Sequence, residues 1–130
     1  MRRFRLRRLA AAGIVPFLLA LVLSGCPAKA QDVHFVSVIE DLPLMAGLAE
    51  DTDAAMTFDS AQGRIVEAHA AGNVSTRAVA AFYAATLPAL GWQAAAEGQY
   101  ERGGEVLTLE IEPAGANAAS VRFALRPGAR

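Results

Sequence analysis

The chain has one cysteine, Cys26, and two histidines, His34 and His69, in 130 residues. A single cysteine excludes an internal disulfide framework and a cysteine-based zinc cage. Catalysis by a histidine base needs a partner within reach and a nucleophile or substrate pocket. No G-x-S-x-G or comparable nucleophile signature accompanies either histidine. Glu67 and His69 stand two apart, so on a strand they share one face, and they read as solvent-facing strand residues. Basic residues are scarce wherever acids are dense. From Cys26 onward there are seven basic against thirteen acidic residues, a net charge of −6. Phosphate backbones repel such a surface, which argues against nucleic acid as a partner. Between Glu40 and Asp59 lie six acids and no base. The segment lacks the alternating acids, central glycine and closing glutamate of a calcium loop, so it reads as a solvated acidic loop. No catalytic residue, cofactor site or metal site is assigned, and the chain reads as a non-enzyme.

Long apolar runs are missing as well, with one short exception. "MRRFRLRR" places five arginines in the first eight residues, and the uncharged "LAAAGIVPFLLALVL" follows from 9 to 23. That run is fifteen residues long, and a membrane-spanning helix needs roughly 20. A charged start and a short apolar stretch match a secretory signal peptide instead, with the positive end held in the cytoplasm. The adjacent arginines lack the rest of a twin-arginine pattern, which favours the general secretory route. Leu23-Ser24-Gly25-Cys26 ends the run and resembles a bacterial lipobox: a branched aliphatic residue, two small residues and a cysteine. That resemblance implies a diacylglycerol on the Cys26 thiol, cleavage before Cys26 and acylation of the new amino terminus with a fatty acid such as palmitate. Ala28-Lys29-Ala30 is a competing small-x-small site for the ordinary signal peptidase. The lipobox reading gives a signal peptide over 1–25, a lipidated tether over 26–32 and one small domain over 33–130. The protein is then attached to a membrane through covalent lipid and faces the periplasm of a bacterial cell envelope. Pro27 stands where an Asp would retain an enterobacterial-type lipoprotein at the inner membrane, which favours the outer membrane.

The remaining pattern predicts strands and one helix. "VHFVSVI", 33 to 39, is rich in β-branched and aromatic residues and predicts a strand. "MTFDSAQGRIVEAHA" reads as a hairpin turning at "DSAQG", with Val66, Ala68 and Ala70 on one face. Asn73, Ser75 and Thr76 offer side-chain oxygens to cap a helix. Val79, Phe82, Tyr83, Thr86, Leu87 and Leu90 follow as one amphipathic stripe. Pro88 predicts an end or kink near Leu87, and Gly91 suits a left-handed exit. After it come "WQAAAEGQYER", "EVLTLEIE" and "SVRFALR". The last two alternate apolar with polar residues, as half-buried strands do. Arg122 and Arg126 are expected across from Glu110 and Glu112, and Gly103-Gly104 as a tight hairpin turn. The expected fold class is α+β, in two layers: an antiparallel sheet of about four to six strands covered by one main helix.

Phe82-Tyr83, Leu87 and Gly91-Trp92, set between "PLMAG" and a Gly-turned meander, resemble a group of small bacterial envelope proteins and lipoproteins with an FY…L…GW motif. The resemblance covers roughly residues 38 to 126. It implies a fold and a structural role for the five motif residues, and no activity. The functional expectation is therefore a non-enzymatic interaction module with a protein partner in the envelope. The alternative is a small-molecule or lipid-binding protein with a pocket between helix and sheet.

Overall fold

The computed structural model describes residues 32–129. Seven strands and one α-helix occupy this span: β1 (Leu48–Glu50), β2 (Met56–Ser60), β3 (Gly63–Gly72), α1 (Thr76–Ala89), β4 (Gln93–Ala96), β5 (Gln99–Arg102), β6 (Glu105–Gly115) and β7 (Ala118–Pro127). All neighbours pair antiparallel, in the order β1-β3-β7-β6-β5-β4. β2 pairs with Gly63–Glu67 of β3, on the edge that β1 occupies further along at Ala70–Gly72. The class is α+β and mostly sheet.

The seven strands are roughly in line with the expected four to six, and the excess has two sources. β1 adds a three-residue strand inside the acidic stretch, and the run after Trp92 divides into β4 and β5 at Glu97-Gly98. The expected strand over 33–39 does not form. Phe35 makes a single antiparallel bridge to Pro43, and turns occupy most of the residues between. Val36, Ile39 and Leu42 are buried there. Their spacing of three suits a coiled turn and not the period of two a strand requires. The turn closes through Val36 N–H to the Leu42 carbonyl at 2.9 Å and Ile39 N–H to the Val36 carbonyl at 3.3 Å.

Ser75 caps the helix, its hydroxyl oxygen accepting from the Ala78 N–H at 3.1 Å. Val79, Tyr83 and Leu87 are buried, with Phe82 and Leu90 partly so. The helix runs through Pro88 to Ala89, past the predicted stop. Pro88 lies in the last turn, where the only loss is one bond to the carbonyl of the exposed Ala84. The stop follows at Gly91, whose φ is 88°. Gly91 N–H bonds the Pro88 carbonyl at 3.1 Å and Trp92 N–H bonds the Leu87 carbonyl at 3.1 Å. This double closure needs a left-handed residue at its centre, which glycine supplies without steric cost. The Arg102 guanidinium lies 4.4 Å from the centre of the Trp92 ring and donates to the Leu90 carbonyl at 3.0 Å, sealing the helix exit.

One face of the sheet meets this helix. Val66, Ala68 and Ala70 of β3, Val121, Phe123 and Leu125 of β7, and Leu107 and Leu109 of β6 join the helix stripe in a single core. Tyr83 ties that core to the N-terminal turns. Its hydroxyl donates to the Pro43 carbonyl at 3.0 Å and accepts from the Met45 N–H at 3.3 Å. Its ring meets Phe123 edge to face at 5.5 Å. Burial pushes the phenol pKa up to about 12, so the hydroxyl stays protonated and holds both bonds throughout the neutral range.

Candidate functional site: the open face of the sheet

Strand alternation decides which side chains the helix leaves uncovered. Val66, Ala68 and Ala70 point into the core, so Ile65, Glu67 and His69 must point away from it. Register then extends this face across the sheet. Ile65 stands opposite Phe58 and Glu67 opposite Met56 on β2. Glu67 stands opposite Ala124, and His69 opposite Arg122, on β7. Arg122 in turn faces Glu110 on β6. The face has two halves. One corner is apolar, with Met56, Phe58 and Ile65 exposed at 45%, 57% and 40%. The middle is charged.

Arg122 organises the charged half. Its Nε and Nη2 donate to the two oxygens of Glu67 at 2.6 and 3.0 Å, and its Nη1 donates to Glu110 at 2.8 Å. His69 Nε2 lies 3.2 Å from Glu67 Oε1. These hydrogen bonds, from Arg122 above all, hold the Glu67 carboxyl below its ordinary 4.5. The same bonds hold Arg122 yet more firmly protonated. A carboxyl with a lowered folded-state pKa contributes stability that is present above its ordinary value and is lost as pH falls through the lowered one. Glu67→Gln is therefore expected to cost about 1 kcal/mol at pH 7, the scale of a half-exposed bidentate pair. The difference from wild type should shrink towards zero as pH falls below the carboxyl's ordinary value and through its lowered one, as urea midpoints at each pH would show.

The expected pairs are only partly met. Arg122 faces Glu110, but Glu112 stands opposite Ser120 and Arg126 opposite Val106. The two arginines are four residues apart and the two glutamates two apart, so no single antiparallel register can oppose both pairs. A hollow of about 340 Å³ opens beside this cluster, lined in part by Asp51, His69, Glu112, Ser120 and Arg122. No hydrogen bond among the described residues joins the Ser120 hydroxyl to His69, and the Glu67 carboxylate is taken up by Arg122. Among the described residues, no group of three or more His, Cys, Asp or Glu is placed to hold a metal ion.

A second concavity, of about 450 Å³, lies where α1 passes over β5 and β6. Ala80, Tyr83, Leu109 and Ile111 line it, with Arg77 and Glu97 also at its walls. Of the motif residues singled out in the sequence, Tyr83 alone borders it. Phe82, Leu87, Gly91 and Trp92 lie in the helix stripe and its exit. Leu23, Ser24, Gly25 and Cys26 lie outside the described residues. Sequence reasoning passed over Met56, Phe58 and Ile65 as a surface. The signal was present: Ile65 directly precedes Val66, and on a strand adjacent apolar residues face opposite sides. Among the described residues, no helix is long and apolar enough to cross a membrane. No protein-family model matches the chain, and neither a curated protein nor a solved structure matches it.

Proposed function

We propose that the chain is an envelope lipoprotein, anchored through acyl chains on Cys26 and facing the periplasm, whose domain is a non-enzymatic interaction module. The outer membrane is the favoured site, since Pro27 and not Asp follows Cys26. The observation that carries the module reading is the uncovered apolar corner formed by Met56, Phe58 and Ile65. Isolated exposed apolar residues are ordinary, but neighbours on one face form a patch of the kind that marks interaction sites. Among the described residues, one α-helix and an open sheet leave that face uncovered. Crosslinking of the full chain in its own envelope, before detergent solubilisation, tests this reading. A specific crosslinked species should form with the wild type and disappear with Phe58→Ser/Ile65→Ser. An unchanged pattern, or a wild-type chain that stays alone, overturns it.

The concavity beneath α1 supports the second reading, a small-molecule or lipid-binding protein. Its volume of about 450 Å³ falls in the size range of ligand pockets, about 300–1,000 Å³. Ala80→Trp would fill it from the exposed side of the helix. This reading requires a fluorescent fatty-acid probe to bind the wild type and not the variant.

A further inference from the structure

The two lateral edges of the sheet differ. β4, at one end, has four residues and a register shift between Ala94 and Ala96. Short length and a bulge both blunt an edge against further pairing. β2, at the other side, is in regular register with β3 over five residues, all exposed, and contains no proline or bulge.

The direction of its free backbone groups follows from one bond. Asp51 N–H donates to the His69 carbonyl at 2.8 Å. Odd-numbered residues of β3 therefore turn their backbone groups towards the β1–β2 edge. Gly63, Ile65 and Glu67 then make the hydrogen-bonded pairs with Ser60, Phe58 and Met56. Thr57 and Asp59 are left with N–H and C=O groups aimed outward, and no backbone bond reaches them from outside the β2–β3 ladder among the described residues.

We propose that two copies of this chain join through their β2 strands, antiparallel about a twofold axis at Phe58, so that the two sheets become one. The inference rests on the interaction-module reading and names the partner. An axis at Phe58 sets Thr57 against Asp59 of the second copy, and the reverse. All four outward residues thus pair, through four backbone hydrogen bonds. Asp59 is the only charged residue in β2, and in this register it meets a threonine. An axis at Asp59 would instead set the two carboxylates face to face, which is destabilising. Phe58 meets its own copy at the close, non-hydrogen-bonded type of pair, where aromatic contact is strongest. Ile65, directly opposite Phe58 on β3, extends that contact into an apolar row crossing the junction. A five-residue edge is small beside the roughly 1,200–2,000 Å² of a stable complex. The association is accordingly weak and rises with concentration, as two copies on one membrane provide.

Oxidative crosslinking of the full chain in its native membranes tests this. With Phe58→Cys, a disulfide-linked dimer should form well above the wild-type baseline, which is low because the only other thiol, that of Cys26, is taken up by lipid on the proposed reading. With Ser60→Cys the baseline should remain, because the twofold sets position 60 about 14 Å from its mate, twice the separation a disulfide allows. Adding Thr57→Pro to Phe58→Cys should return the yield to baseline while cooperative unfolding persists, since that N–H serves no bond in the chain's own sheet. Thr57→Lys sets an ammonium opposite Asp59 of the second copy twice over. It should tighten dimerisation in detergent by about two- to tenfold by sedimentation. Equal crosslinking at 58 and 60, or looser association with Thr57→Lys, overturns the proposal. A thiol at 58 that links only to a different protein also overturns it and leaves the module reading standing. No link to anything overturns the proposal, and the module reading then rests on the crosslinking of the wild-type chain described above.

Discussion

Cys26→Ser is expected to abolish labelling by radioactive palmitate and to leave the chain in its longer, uncleaved form. The substitution keeps the size of the side chain and the apolar run from 9 to 23, but removes the thiol to which a lipid transferase would add diacylglycerol. A lipoprotein signal peptidase acts after that addition, so one atom controls two steps. On the proposed lipoprotein reading, the physical consequence is the anchor itself. Each buried CH₂ contributes about 0.8 kcal/mol, and a single acyl chain holds only marginally, so two or three chains on one residue make attachment stable. Ala28-Lys29-Ala30 provides the alternative outcome. If the ordinary peptidase cuts after Ala30, Cys26→Ser processes normally and releases a chain beginning at Gln31. Mass spectrometry of the mature N-terminus separates the two, since an acylated Cys26 and a free Gln31 differ in both mass and sequence.

Where a local pattern was strong, the fold was legible. The helix has an oxygen cap at Ser75, a stripe of period 3.6 and a glycine exit, and each found its expected place. Its end was misjudged by two residues, because a proline in the final turn forfeits only one bond. The Gly103-Gly104 turn was equally legible, with φ values of 59° and 81° that glycine alone adopts freely. The segment 33–39 misled because its composition is that of a strand while its apolar spacing is three. β1 left no local signal. Gly72 permits it, letting the backbone of Gly47 approach so closely that a Cβ on Gly72 would lie 1.8 Å from the Gly47 carbonyl oxygen. No reading of a three-residue segment reveals that contact. The site divides in the same way. The faces of β3 were readable from alternation. Of the charged cluster, the Arg122–Glu110 pair was readable from the alternation of β6 and β7, but the Glu67 leg was not, since Glu67 and Arg122 lie 55 positions apart and meet only once β3 and β7 are in register.

Phe123→Ala is expected to destabilise the domain by about 3–5 kcal/mol, the usual cost of deleting a buried aromatic ring. Phe123 is 0% exposed. It stands on β7 between Ala68 of β3 and Leu109 of β6, and its ring supports the edge of Tyr83. Tyr83 in turn holds Pro43 and Met45, so the cavity would loosen the N-terminal turns as well as the core. Domains of this size have about 5–15 kcal/mol in total, and the loss is a large part of it. Urea midpoints at an unchanged slope would measure it. Phe58→Ala deletes the same ring from a residue that is 57% exposed, and is expected to change stability by no more than about 0.5 kcal/mol. The pair of variants decides what the open face is for. A loss at Phe58 comparable to that at Phe123 would make the apolar corner part of this chain's own packing. A negligible loss leaves Phe58 without a role in the stability of the single chain, as the proposed contact with a second molecule requires.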